Sequence, residues 1–345
     1  MKKKRVAIIG GGQIAESVHL PYYRTRQDVE ITAVLGRSID NTKAFAKRNQ
    51  IPNYYLDLEE MLIKESPDMV SVCTPNKFHY DFVMEVLKHK CDVLCEKPPA
   101  ITAKQALEMY ELADKNNCVL AYNFHHRYSE NAKVLRQKVK QGILGEIYAI
   151  KALALRRSGV PGWGHFTNKK MQGGGPLIDI GIHMLDTAMY ILGYPKVEKV
   201  TAKMFQKIGR DKSEGSFGKW DPENFEVEDS FFGFIELEGG NLLQIDTSYA
   251  LHMKERSIMN VEFYGEKAGA TLYPAQIYTD NKGEFVSIYN NEFKDENLSV
   301  KAIEAFVDRC FGKDVMIVDG RQGYMIQHLI ESLYQSAEIG ESIYL

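Results

Sequence analysis

The first 124 residues alternate short apolar runs with amphipathic stretches, and this alternation constrains the fold more than any other feature of the sequence. The runs predicted to be strands are RVAIIG, EITAVLG, MVSVCTP, DVLCEKP and VLAYNF. Helices are predicted between them, at Asp40–Asn49, His79–Lys88 and Ala103–Asn116. Near-continuous apolar strands that are separated by helices form parallel sheets covered on both faces. We therefore predict an α/β domain with a doubly wound parallel sheet over residues 1–124.

The pattern changes after about residue 125. A helix is predicted at Ser129–Gln141, and the next strand is IYAIKALALRR. A hairpin is predicted around Gly239–Gly240 in SFFGFIELEGGNLLQIDTSYA, and MNVEFYG, ATLYP and EFVSIYN continue the series of strands. The polar segment Lys207–Glu226 is predicted to be a long surface loop, and two helices end the chain. Residues 125–345 are thus predicted to form an α+β domain with a large, mostly antiparallel sheet.

A glycine-rich turn follows the first predicted strand and opens a helix, in RVAIIGGGQIAES. Gly10, Gly12 and Ala15 fit the pattern G-x-G-x-x-A, with Gln13 and Ile14 inside it. The first glycine permits the tight turn, the second lets the backbone approach a pyrophosphate, and the helix N-terminus attracts the anion. In this strand–turn–helix context we predict a dinucleotide-binding Rossmann domain.

The end of the second predicted strand bears on the form of the cofactor. Proteins that bind NAD usually place a carboxylate there for the adenosine ribose, whereas this chain has Gly36, Arg37 and Ser38. Arginine and serine can bind a 2′-phosphate, which favours NADP. The alternative is that Asp40 supplies the carboxylate and the cofactor is NAD.

Three further motifs carry a family resemblance: TPNKFH at 74–79, CEKPPA at 95–100 and DIGIH at 179–183. In this order, after GGGQIA, they resemble the Gfo/Idh/MocA oxidoreductases, and the resemblance covers nearly the whole chain. It implies that Lys97 lies at the nicotinamide and at the reacting carbon of the substrate. The residues that it places at the cofactor are Thr74, Pro75, Asn76, His79, Glu96, Lys97 and Asn123. It also implies a homodimer or homotetramer formed through the C-terminal sheet.

Asp179 and His183 lie one helical turn apart in GGGPLIDIGIHMLD. Pro176 suits a first helical turn, and Gly193 suits a helix end. Asp179, His183, Asp186 and Tyr190 are predicted to form a polar stripe beside an apolar one. The preceding glycines are expected to let the backbone pass close to a bulky group such as a nicotinamide or a sugar.

The D-x-x-x-H pair matches the family's catalytic pair, with His183 as proton acceptor and Asp179 orienting it or holding a substrate hydroxyl. A lysine ammonium near the developing alkoxide suits Lys97. The alternative for Asp179 and His183 is purely structural, a carboxylate at a helix N-terminus and a buried core histidine.

Candidates for the substrate pocket are Tyr128, Arg157 and Trp163, in addition to Lys97, Asp179 and His183. Trp163 stands in ALRRSGVPGWGHF, just before the glycines, and tryptophan stacks well on sugar faces. A surface loop that is held by one tryptophan is the alternative.

Composition limits the partners. The net charge is −3, from 43 basic and 46 acidic residues, which argues against nucleic acid or an anionic membrane as partner. Five cysteines without a C-x-x-C pair predict buried thiols, a cytoplasmic protein and no metal site.

The predicted activity is hydride transfer between NAD(P) and a secondary hydroxyl or ketone of a sugar or cyclic polyol. The alternatives are a non-catalytic cofactor sensor, and a hydrolase or lyase that uses its nicotinamide transiently.

Overall fold

The computed structural model describes residues 3–291, 293–294 and 297–345. The chain divides into two compact units. Unit 1 comprises residues 1–125 and 297–328, and unit 2 comprises residues 126–296 and 329–345.

Unit 1 is built on a parallel sheet of six strands. The strands are β1 (Lys4–Ile9), β2 (Val29–Leu35), β3 (Asn53–Tyr55), β4 (Met69–Val72), β5 (Asp92–Cys95) and β6 (Leu120–Tyr122). Their order in the sheet is β3-β2-β1-β4-β5-β6, and every pairing between them is parallel. This confirms the doubly wound sheet, and it places the reversal of strand order between β1 and β4, where ligands bind in such folds. The short β3 was not predicted from the sequence.

Helices connect these strands. They are α1 (Leu20–Thr25), α2 (Ile39–Arg48), α3 (Leu58–Glu65), α4 (His79–Lys88) and α5 (Ala103–Asn116), with a π-helical turn at Ala15–His19 before α1. The bounds of α4 and α5 are those expected from the sequence, whereas α3 was not predicted. Thr102 and Gln105 form a capping box at the start of α5, and Asn117 ends it in the left-handed conformation, which explains why this helix is so clearly readable from sequence.

One helix that follows the strands of unit 2 in sequence belongs to unit 1. Helix α9 (Leu298–Cys310) contributes Ile303, Phe306 and Val307 to the same apolar core as Val6 of β1. Burial of this apolar face explains why residues 297–328 belong to the Rossmann unit.

Unit 2 is built on a sheet of nine strands. They are β7 (Ile147–Arg156), β8 (Val197–Phe205), β11 (Ser230–Leu237), β12 (Asn241–Ser248), β13 (Ser257–Gly265), β14 (Gly269–Thr271), β15 (Ala275–Asn281), β16 (Glu284–Asn291) and β17 (Ile343–Tyr344). Their order is β16-β15-β14-β13-β7-β12-β11-β8-β17. Strands β7 and β12 are parallel and the other pairings are antiparallel, which confirms a mostly antiparallel sheet. Because β7 and β12 are parallel, the loops that follow them leave the same edge of the sheet.

The remaining elements of unit 2 include a small hairpin and several helices. The hairpin strands are β9 (Glu214–Gly215) and β10 (Gly218–Lys219), and the helices are α6 (Glu130–Lys140), α7 (Lys169–Gln172), α8 (Ile182–Leu192) and α10 (Gly320–Ile339), of which α10 begins in unit 1. A π-helical turn at Leu177–Gly181 precedes α8, and Gly193 ends α8 with a φ of 84°. No helix in the described part of the chain is long and apolar enough to cross a bilayer.

Candidate active site

The glycine turn after β1 is tightly packed at its first position and open at its third. Gly10 has a φ of 97°, and a Cβ there would lie 2.5 Å from the carbonyl oxygen of Cys73. A side chain at Gly10 is therefore excluded by the protein itself. A Cβ on Gly12 would meet no described atom within 4 Å, so no internal packing requires glycine at this position. In Rossmann turns, glycine at this position lets the backbone approach a pyrophosphate closely.

Two buried oxygen atoms lie at the carboxyl ends of the strands of unit 1. Oγ1 of Thr74 follows β4 and Oδ1 of Asn123 follows β6, and neither has a hydrogen-bond partner among the described residues. Buried polar atoms are rarely left unbonded unless a ligand or water satisfies them. Together with the open space at Gly12, these atoms fit a bound dinucleotide whose polar groups would bond to them.

Glu96 lies at the centre of a hydrogen-bonded network inside unit 1. Its Oε1 contacts Nε2 of His19 at 2.8 Å and accepts a bond of 2.8 Å from Nδ2 of Asn123. His19 is fully buried, and its Nδ1 lies 3.1 Å from Oγ of Ser71, which also contacts the hydroxyl of Tyr23 at 2.6 Å. Burial raises the pKa of Glu96, but the contacts with His19 and Asn123 outweigh it and hold this pKa below its ordinary value. The carboxylate thus fixes the E-K-P loop from inside, a function that was not expected from the sequence.

His79 links two loops at this edge of the sheet. Its ring is fully buried, with Nδ1 2.8 Å from the carbonyl oxygen of Pro98 and Nε2 2.9 Å from that of Thr74. Burial lowers the pKa of His79, and this effect outweighs the two carbonyl contacts, which raise it. The lowered pKa favours a neutral ring, which can donate to only one of the two carbonyls at a time. His79 therefore holds the loop after β4, which includes Pro75 and Asn76, against the loop after β5.

Lys97 is half-buried in the E-K-P loop, and a second ionisable group that sequence reasoning missed lies near it. Burial lowers the pKa of His125 to about 4, the charge of Glu96 opposes this and the charge of Lys97 adds to it. The lowered pKa favours an uncharged His125 ring near neutral pH, and His125 lies within electrostatic range of Lys97. The signal that could have found His125 is its place two residues after Asn123, in AYNFHHRY.

In unit 2, Asp179 lies on the π-helical turn that precedes α8. This turn packs closely on β12. A Cβ on Gly181 would lie 2.4 Å from Cγ2 of Thr247, so glycine is needed for this approach. The fully buried Tyr249, just after β12, donates a hydrogen bond of 2.9 Å to Oδ2 of Asp179. Sequence reasoning missed Tyr249, although it ends the predicted strand in DTSYA.

The glycines before Pro176 make room for protein groups. A Cβ on Gly174 would lie 2.1 Å from the hydroxyl of Tyr334, and one on Gly175 would lie 2.3 Å from the backbone oxygen of Glu228. The carboxylate of Glu228 accepts hydrogen bonds from the backbone N–H of Gly175 and Leu177 and from Tyr334. The expectation that these glycines face a nicotinamide or a sugar is therefore corrected for Gly174 and Gly175, because their close neighbours are Tyr334 and Glu228.

His183 has 6% of its surface exposed and lies beside a second histidine. Its ring centroid is 5.2 Å from that of His126, at an interplanar angle of 60°. Nδ1 of His126 lies 2.9 Å from the hydroxyl of Tyr273, which in turn lies 3.3 Å from Oγ of Ser129. The contact with Tyr273 thus holds His126 beside His183, the predicted proton acceptor.

In the second half of the predicted polar stripe, Asp186 forms a buried ion pair with Arg127. Nε of Arg127 donates to Oδ2 of Asp186 at 2.6 Å, and a second guanidinium nitrogen bonds to Oδ1. The guanidinium also lies 5.3 Å from the ring centroids of Tyr190 and Tyr194. Burial raises the pKa of Asp186. Burial also disfavours the charge of Arg127, but Asp186 outweighs this and keeps the pKa of Arg127 above its ordinary value. Helix α8 is buried on all sides from 182 to 191, so the stripe is internal, and Asp186 and Tyr190 bind Arg127.

The structure gives the remaining substrate candidates different environments. Tyr128 is buried, with 5% exposed. The Arg157 side chain is exposed, and its Nη1 donates to the carbonyl oxygen of Lys254 at 2.8 Å. Trp163 is 53% exposed and packs against Phe166 and Phe217.

Comparison with known proteins decides the family. The model of an oxidoreductase family with an NAD-binding Rossmann fold, GFO_IDH_MocA, matches residues 4–124, and the model of its C-terminal alpha/beta domain matches residues 136–345. The chain belongs to the Gfo/Idh/MocA family. It is therefore an oxidoreductase with a Rossmann domain for a nicotinamide dinucleotide.

Individual relatives extend this finding. The chain is 54% identical over 341 residues to D-glucoside 3-dehydrogenase of Escherichia coli K12, covering 99% of this chain and 97% of the relative. Among solved structures, an oxidoreductase domain protein from Kribbella flavida is similar with a TM-score of 0.84 at 19% identity, covering 100% and 99% of the two chains. Levoglucosan dehydrogenase in complex with NADH has a TM-score of 0.82 at 18% identity and covers 99% of each. At these identities the two structures show the common fold.

In this family member the segment that follows β2, residues 36–40, is partly or fully exposed. Arg37 is exposed and makes no hydrogen bond or ion pair with any residue that the structure describes. Ser38 precedes α2 at the N-cap position, but its side chain makes no capping bond. Gly36 packs on Thr42, because a Cβ there would lie 2.1 Å from Oγ1 of Thr42. Asp40 is exposed in the first turn of α2.

Proposed function

We propose that this protein oxidises the hydroxyl at C3 of a D-glucoside to a ketone, with NADP or NAD as hydride acceptor. The observation that carries the proposal is 54% identity to a D-glucoside 3-dehydrogenase across 99% of this chain and 97% of that protein. At this coverage the similarity spans both units. The secondary hydroxyl of a sugar is also the group that was expected from the sequence.

The residue roles follow from what the reaction needs. Oxidation of a secondary alcohol removes a proton from oxygen and a hydride from carbon, and a bound nicotinamide accepts the hydride. His183 takes the hydroxyl proton, because an imidazole is a suitable base near neutral pH. Asp179, held by Tyr249 through Oδ2, binds a sugar hydroxyl or orients His183. The ammonium of Lys97 stabilises the negative charge that develops on the substrate oxygen.

The predicted cofactor residues include some that contact the cofactor and some that hold its loops in place. The turn residues Gly10, Gly12, Gln13, Ile14 and Ala15 receive the pyrophosphate, as expected of a Rossmann turn. Thr74 and Asn123 offer buried oxygens to hydrogen-bond donors of the cofactor. Glu96 and His79 act through the loops that they hold in place.

We infer a modest preference for NADP over NAD. Two observations support this preference: Arg37 is exposed, and the hydroxyl of Ser38 makes no capping hydrogen bond to α2. A guanidinium forms charge-assisted hydrogen bonds with a phosphate. Asp40, exposed in the first turn of α2, is the residue that would favour NAD instead.

We also propose a cytoplasmic homodimer or homotetramer. The nine-stranded sheet of unit 2 carries exposed aromatic residues, which supports pairing through that sheet. They are Tyr148, Phe205, Phe234, Phe285 and Tyr344. All five cysteines are free thiols, which suits a reducing compartment.

The test is the absorbance of reduced nicotinamide when purified protein is mixed with D-glucosides and each oxidised cofactor. The wild type is expected to form reduced cofactor and a 3-ketone in equal amounts. Lys97→Ala and His183→Asn are expected to lower kcat a hundredfold or more, with cofactor binding measured by calorimetry nearly unchanged. Conversion of a glucoside without net reduced cofactor would instead establish a redox-neutral reaction. Wild-type turnover in either variant would remove that residue from its role.

A further inference from the structure

Three aromatic side chains of unit 2 form one cluster at the surface. The ring of Trp163 lies 6.2 Å from that of Phe166 and 5.8 Å from that of Phe217, between centroids. The guanidinium of Arg156 lies 4.9 Å from the centroid of Phe217. We call these three residues, Trp163, Phe166 and Phe217, the aromatic cluster. Its largest ring remains 53% exposed, so an apolar face is open to solvent.

Backbone contacts build this cluster from two separate segments. The N–H of Gly162 donates to the carbonyl oxygen of Phe217 at 2.9 Å, and the N–H of Ser216 donates to that of Ser158 at 2.8 Å. A Cβ on Gly162 would lie 2.6 Å from the carbonyl oxygen of Lys219. The β9–β10 hairpin is thus docked on the loop that carries Trp163, and the position of Phe217 is fixed.

The polar segment that carries the hairpin is also anchored. Oδ2 of Asp229 accepts hydrogen bonds from the backbone N–H groups of Lys207, Ile208 and Gly209, at 2.6, 2.6 and 2.9 Å. Nε1 of Trp220 donates to the carbonyl oxygen of Gly209 at 2.8 Å. The segment predicted to be a long surface loop is thus irregular apart from the β9–β10 hairpin, and these hydrogen bonds hold the part that carries Phe217.

The loop that carries Trp163 is joined to the residue that holds Asp179. It follows β7, and its Gly159 N–H donates to the carbonyl oxygen of Tyr249 at 2.7 Å. The hydroxyl of the same tyrosine donates to Asp179. Tyr249 thus connects the backbone of this loop to Asp179, the predicted catalytic carboxylate.

We propose that the aromatic cluster binds the aglycone of the glucoside, the group attached to C1 of the sugar. The inference rests on the proposed function. C1 and C3 are separated on the sugar ring, so the aglycone lies beside the reacting centre and not at it. The loop that bears Trp163 is joined to Asp179 through Tyr249, which makes this loop a candidate for that neighbouring position. Sugar and phenyl rings have apolar faces that stack on tryptophan, and burial of an exposed aromatic surface favours binding. The preferred substrates are glucosides whose aglycone is itself a ring.

The kinetic test compares a phenyl and a methyl D-glucoside of the same anomeric configuration. Trp163→Ala and Phe217→Ala are expected to raise KM for the phenyl glucoside about three- to tenfold. KM for the methyl glucoside should change less than twofold, and kcat should change little for both. Trp163→Phe keeps a ring and should keep most of the affinity. Ile63→Ala, which truncates an exposed apolar side chain of α3 in unit 1, is the control.

A second measurement is independent of turnover. The chain has two tryptophans, so a fluorescence signal that the wild type shows and the Trp163→Phe variant lacks reports Trp163 alone. Saturable change of its fluorescence with phenyl glucoside, at concentrations where methyl glucoside has no effect, is expected. Equal KM increases for both glucosides, or none for either, would overturn the proposal. If the wild type oxidises no glucoside, the proposed function fails, and the fluorescence titration alone then decides whether the cluster binds the aglycone.

Discussion

The hydroxyl of Tyr249 donates a hydrogen bond of 2.9 Å to Oδ2 of Asp179, across 70 residues of sequence. Tyr249 is fully buried just after β12, and Asp179 lies on the turn that opens α8. One oxygen of the carboxylate is thereby oriented by the core of unit 2. Pre-oriented groups of this kind are what a catalytic site needs from its supporting residues.

Tyr249→Phe removes this hydrogen bond and keeps the ring. A hydrogen bond to a charged group contributes about 1.5–3 kcal/mol, so kcat/KM is expected to fall roughly ten- to a hundredfold, with cofactor affinity unchanged. The decisive measurement is a double-mutant cycle on kcat/KM with Asp179→Asn. If Tyr249 acts through Asp179, the two losses will not add. Additive losses would show that the tyrosine acts independently of the carboxylate.

Asp179 and Asp186 lie two helical turns apart. We expect substitution by Asn to lower stability at Asp186 and to lower activity at Asp179. Asp186→Asn leaves Arg127 buried without a full counter-charge, and breaking such a pair typically costs about 3–5 kcal/mol of stability. Asp179→Asn should lower kcat/KM about a hundredfold with a much smaller loss of stability. Urea unfolding and steady-state kinetics on both variants check this contrast. An Asp179→Asn protein as unstable as Asp186→Asn would support the structural alternative for Asp179.

Arg37→Ala is expected to weaken NADP binding about tenfold or more and to leave NAD binding unchanged, because a charge-assisted contact with the 2′-phosphate is lost. Arg37→Asp should favour NAD, since a carboxylate repels this phosphate. Gly36 is a poor position for a new carboxylate, as its Cβ would collide with Thr42. Lys43→Ala, which removes an exposed cation of α2, the helix that follows Arg37, is the control for general electrostatics. Calorimetry with both cofactors measures the effect, and tighter binding of NAD by the wild type would contradict the proposed preference.

His125 makes the stability of the protein depend on acidity in a defined window. Burial lowers its pKa from 6.5 to about 4 in the folded protein. Between these values the unfolded chain binds a proton at His125 that the folded chain does not, so the stability contributed by neutral His125 is lost as the pH falls through this window. The Tm of His125→Asn relative to wild type is therefore expected to rise as the pH is lowered from 7 to 5. A Tm difference that does not change with pH would show that His125 titrates normally.

Local signals in the sequence identified five of the six strands in the Rossmann sheet, the glycine turn and the three family motifs. Each depends on residues that are near in sequence, such as the capping box of α5 or the apolar run of β1, and the physics of these elements is local. The same holds for the end of α8 at Gly193, where a left-handed residue is required.

Tertiary structure decided what the polar residues of those motifs do. A helical period places Asp179, His183, Asp186 and Tyr190 on one stripe, but it does not reveal what faces each of them. The order of strands in the nine-stranded sheet brings Tyr249 to Asp179, and Asp186 meets Arg127 from 59 residues away. Likewise, Glu96 bonds to His19 across 77 residues. The sequence determined which residues could carry the chemistry, and packing between distant segments determined which of them are held ready for it and which stabilise the core, because burial and hydrogen-bond partners are set only when the sheets are assembled.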